Sequence, residues 1–117
     1  LAGPEASLNP ALEGLADLVA GAIGQLVRAT EAAVRVPEGI RADAVAALQA
    51  VDAAIQAERQ ADAAERACIG AIMAAPGADP RALVLGLEVA RALETTTDHI
   101  AHAALSLRER VLEELSE

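Results

Sequence analysis

The chain has 117 residues, enough for one domain with a single core and too few for two. Its net charge of −9 repels phosphate backbones, and with no Phe, Tyr or Trp there is no ring to stack on a base, so no nucleic-acid role is expected. Anionic membrane surfaces are disfavoured by the same charge.

Without aromatic residues the core has to be built from Leu, Val, Ile and Ala. Alanine is the best helix former, but each Ala contact buries little area, so stability requires many contacts along long helices.

Residues 1–8 hold Gly3, Pro4 and Ser7 and read as a loose lead-in. Asn9 then caps a first helix with Pro10 at its first position. In that helix Leu12, Leu15, Val19, Ala22 and Leu26 follow alternating steps of three and four. The segment Val36-Pro37-Glu38-Gly39 ends it, giving a helix over about 10–35. A second helix is predicted over 41–74, stopped by Ala75-Pro76-Gly77-Ala78. Asp79 and Pro80 repeat the cap-plus-proline signal and open a third, over 80–115. Both connections are short, so the expectation is an all-α, antiparallel three-helix bundle occupying 9–117.

Asp, Glu, Arg or Gly interrupts every apolar run before the roughly 20 residues a spanning helix needs, and no membrane span is expected. Cys68, the one cysteine, has no internal partner and reads as a small core residue in a reducing compartment.

The second helix carries the most informative pattern. Leu48, Val51, Ile55, Glu58, Asp62, Glu65, Ile69 and Ile72 keep three-four spacing, which places three acids at successive seam positions. A carboxylate there has to be neutralised, paired or bound to a cation, because burying it bare costs several kcal/mol.

With a turn near Gly77, the second and third helices mirror about residue 78, and position 58 falls level with about 98 and 62 with about 94. Those positions hold Asp98 and Glu94. Two Glu-x-x-x-Asp pairs would meet, each stacking its carboxylates on one helix face.

His102 continues the Glu94, Asp98 row, and His99 adjoins it. Carboxylate with imidazole suits iron, zinc, manganese or nickel. The metal set read from the sequence is Glu58, Asp62, Glu94, Asp98 and His102, with Glu65 and His99 secondary. Glu13 and Asp17 repeat the spacing but face solvent. The competing reading is an ion-pair network, since Arg59, Arg66 and Arg91 lie within reach of the acids.

The stretch Leu93-Glu94-Thr95-Thr96-Thr97-Asp98-His99 resembles the Leu-Glu-Arg-Ile-Gly-Asp-His signature of PhoU-like proteins, regulators linked to phosphate uptake. Ile55-Gln56-Ala57-Glu58-Arg59-Gln60-Ala61-Asp62 looks like the partner motif of the same repeat. Three threonines stand where the signature has Arg-Ile-Gly.

The resemblance covers nearly the whole chain as one repeat, where family members commonly carry two. It implies a three-helix unit whose acidic motifs bind metal at Glu58, Asp62, Glu94 and Asp98. It also implies a cytoplasmic location, peripheral at the inner membrane, with a phosphate transporter or sensor kinase as partner.

No catalytic constellation is visible: there is no phosphate-binding glycine loop and no nucleophile elbow, and the Glu-x-x-His of di-metal oxidases does not occur. The expected function is therefore regulatory binding and not catalysis. The alternative is a metal-free helical self-association or adaptor module. A second apolar stripe at Leu83, Leu87, Ala90, Ala101 and Leu105 calls for cover, and a homodimer is the expected assembly.

Overall fold

A computed structural model describes residues 4–36, 41–74, 77 and 79–116. Among them are three α-helices: α1, Pro4–Val34; α2, Arg41–Ala74; and α3, Pro80–Ser116. All three pack on one another. The molecule measures 60 × 20 × 15 Å, and at 1.5 Å per residue α3 alone spans about 55 Å, so the helices lie along the length of a rod.

The start of α3 is fixed locally. Asp79 Oδ1 accepts from the Arg81 amide at 3.2 Å and the Asp79 carbonyl from the Leu83 amide at 3.0 Å, with Pro80 between them. This is the N-cap arrangement, in which proline loses nothing because its missing N–H would have been an orphan. Gly77 holds φ at 69°, a left-handed conformation that glycine adopts without penalty.

The start of α1 differs from the sequence reading. The helix begins at Pro4, not at Pro10, which now lies inside it. Gly3-Pro4 offers a first-turn proline of the same kind as Asn9-Pro10, and the earlier one opens the helix. Pro10 then forgoes the hydrogen bond to the Ala6 carbonyl. Of the lead-in, residues 1–3 lie outside the described residues, as do Pro37, Glu38 and Gly39 of the first expected break and Ala75, Pro76 and Ala78 of the second.

Small residues form the inner rows. On α2 the row is Ala44, Ala47, Val51, Ala54, Ala61, Glu65, Cys68 and Ile72, all buried, with half-buried Glu58 completing the three-four spacing. The larger Leu48, Ile55 and Ile69 stand half-buried at its flank. Alanine goes inside because its short side chain lets backbones approach, and bulkier residues wrap the edges.

On α3 the inner row runs Gly86, Ala90, Thr97, Ile100, Ala104 and Val111. Here too the sequence reading is corrected. Ala90 of the stripe expected to need cover is in the core, and Leu83 and Leu87 pack against it.

Two apolar clusters hold the rod. One joins Leu15, Val19 and Ala22 of α1 to Ala61, Cys68 and Ile72 of α2 and to Ala90 and Ile100 of α3. The other joins Ala32 and Val36 to Ala44, Ala47 and Val111. Within the first, α3 meets α2 where Gly86 faces Ile72; a Cβ there would make ordinary contact with Ile72 Cδ1, at 3.4 Å.

One expectation about membranes is revised. By length and composition alone, Pro10–Val34 is long and apolar enough to cross a bilayer. Between Asp17 and Arg28 no residue is charged, and glycine, counted as an interruption, is tolerated in membrane helices. In this fold the stretch supplies Leu15, Val19, Ala22, Ala29 and Ala32 to the core.

Candidate metal centre

The seam between α2 and α3 carries the acids. Glu65 sits in the inner row of α2, only 4% exposed, and its Oε2 has no hydrogen-bond partner. Glu58, two turns earlier in the same row, and Asp62, at the flank between them, are half-buried. From α3, Glu94 and Asp98 stand on the exposed flank beside the inner row.

These carboxylates are close enough to feel one another. Burial first, and then the charges of Asp62 and Asp98, push the Glu58 carboxyl above its ordinary range, with Arg59 pulling the other way. Burial also leads at Glu65, followed by Glu94, Asp62 and Asp98, and Arg66 opposes them. Asp98 thus acts on Glu58 and Glu94 on Glu65, each across the α2–α3 seam. Two causes reinforce each other: desolvation disfavours the charged form, and neighbouring negative charge disfavours it again.

The cations nearby do little to relieve this. Arg66 pairs with Asp62 at 2.8 Å, one turn apart along the exposed side of α2. Such a pair is worth at most about 1 kcal/mol and leaves Glu65 Oε2 without a donor. It is the one ion pair among the described residues.

The two histidines do not join the cluster. His99 and His102 are exposed, and His102 Nδ1 donates to the Asp98 backbone carbonyl at 2.8 Å, within its own helix. Among the described residues, no three side chains of His, Cys, Asp or Glu are gathered so that they could hold one ion. The structure brings Glu58, Asp62, Glu65, Glu94 and Asp98 into one charged neighbourhood and leaves the imidazoles outside it.

Two features of this neighbourhood exceed the sequence reading. Glu65, ranked secondary by mirror symmetry, is its most buried member. Continuing the Ala47, Val51, Ala54, Ala61 row would have found it.

Thr97 is the other. It is fully buried, and its hydroxyl donates to the Glu94 carbonyl at 2.8 Å. Thr95 and Thr96 likewise return their hydroxyls to the carbonyls of Arg91 and Ala92. All three threonines are satisfied within α3 and offer the acids nothing.

Cys68 lies one turn beyond Glu65 in the inner row. Burial, and then the Glu65 charge, push its thiol up, so it is held in the unreactive protonated form.

No family model matches this chain, and no curated protein or solved structure matches it either.

Proposed function

We propose that this chain is a PhoU-like regulatory module linked to phosphate uptake. It acts by binding and not by catalysis, and the acidic seam between α2 and α3 takes up a divalent cation. The observation that carries the cation is the buried, unpartnered Oε2 of Glu65 among Asp62, Glu94 and Asp98. An orphaned buried carboxylate costs about 1–3 kcal/mol, and a positive ion is the partner that removes the cost and the mutual repulsion together.

The likeness of Glu58, Asp62, Glu94 and Asp98 to the PhoU motifs supports the family reading. It brings with it a cytoplasmic protein, peripheral at the inner membrane, whose partner is a phosphate transporter or a sensor kinase.

The arrangement that supports this reading is antiparallel. Ile72 lies against Gly86, Glu58 senses Asp98, and Glu65 senses Glu94; each pair is centred within about two residues of position 78. Pro10, Leu15 and Leu18 of α1 share a hollow with Ala64 and Cys68 near the end of α2.

Glu65, with Asp62 from α2 and Glu94 from α3 whose charges act on it, would have to close on the ion through oxygen. Among the described residues no three such side chains are gathered around one point in the present arrangement. A bound cation would supply positive charge that ties the two helices together. With both histidines turned away, the donors are carboxylates, which suit manganese best among the iron, zinc, manganese and nickel that the sequence suggests.

Elemental analysis of protein purified without an affinity tag tests the reading. The expected result is bound transition metal, lost in the Asp62→Ala, Asp98→Ala double variant, with a lower melting temperature after chelation. Metal-free protein whose melting ignores chelator would leave the second reading, a metal-free self-association or adaptor module. One observation favours that alternative: the His102 ring is already engaged within α3.

A further inference from the structure

We draw no further inference here: the strongest candidate, the open trough between the C-terminal parts of α1 and α3 walled by Thr30, Val34, Leu107 and Arg110, carries nothing because nothing in the structure shows what covers it.

Discussion

The two ends of this rod handle the same shortage of bulky core residues in opposite ways. Around Ile72 and Leu15 the helices pack into the larger apolar cluster, and the α2–α3 seam there encloses a carboxylate with no partner. Around Val36 and Val111 no such group is buried among the described residues, but Val27 and Val34 are left uncovered and a trough stays open between α1 and α3. One end is short of a positive charge and the other of apolar contact. An unsatisfied polar group and an uncovered apolar face are both departures from what a self-sufficient fold tolerates, and each indicates where a binding partner belongs.

The largest expected effect separates the closed end from the open one. Ile72→Ala or Leu15→Ala should cost about 2–5 kcal/mol in urea unfolding, because each removes a fully buried side chain. Val34→Ala, measured on protein dilute enough to be monomeric, should stay within about 0.5 kcal/mol. Equal costs at both ends would erase the contrast.

Next in size is Glu65→Leu, which should stabilise the metal-free protein by about 1–3 kcal/mol, since it removes the orphaned carboxyl and fills the same row with hydrocarbon. Loss of stability would show that Glu65 is satisfied in a way its surroundings do not suggest.

Acid and base should sharpen the same point. The Glu58 and Glu65 carboxyls are raised in the folded chain above the ordinary 4.5, so the folded state holds protons that the unfolded state has released. Their contribution is therefore fully present below pH 4.5 and is lost as pH rises through the raised folded values. Comparing wild type with Glu65→Leu by thermal melting across this window isolates the effect: the difference in stability should widen in the variant's favour as pH increases. A difference independent of pH would contradict it.

The smallest effects concern backbone entropy. Gly14 and Gly21 lie inside α1, and a Cβ at either meets nothing within 4 Å. Gly14→Ala and Gly21→Ala should each stabilise the helix by about 0.5–1 kcal/mol.

Much of the helical plan was legible because its signals are local. Asp79-Pro80 caps α3 by chemistry contained within five residues, and three-four spacing marks three helices without reference to one another. The start of α1 was less legible because two prolines compete for one role, and no local rule chooses between Pro4 and Pro10.

The site was legible in part. Mirroring the helices about residue 78 picked out Glu58, Asp62, Glu94 and Asp98; in the structure Asp62 and Asp98 act on Glu58, and these two with Glu94 act on Glu65. Which acid turns fully inward depends on how each helix rotates about its axis, and that is decided by close alanine packing between helices and not by periodicity in one. That packing turns Ala90 and Thr97 of α3 inward and places Glu65 in the inner row of α2. His102 followed the row of acids as expected, yet an intrahelical hydrogen bond to Asp98 holds its ring apart from them.

The central claim is that the acidic seam is completed by a cation at Glu65. The most direct measurement is the melting temperature of wild type and Glu65→Leu, each stripped of metal and then given excess manganese, zinc or ferrous iron under matched conditions. The account predicts that at least one ion raises the melting temperature of wild type and leaves the variant where it was. Wild type indifferent to every ion, or a variant that responds as strongly as wild type, would contradict it.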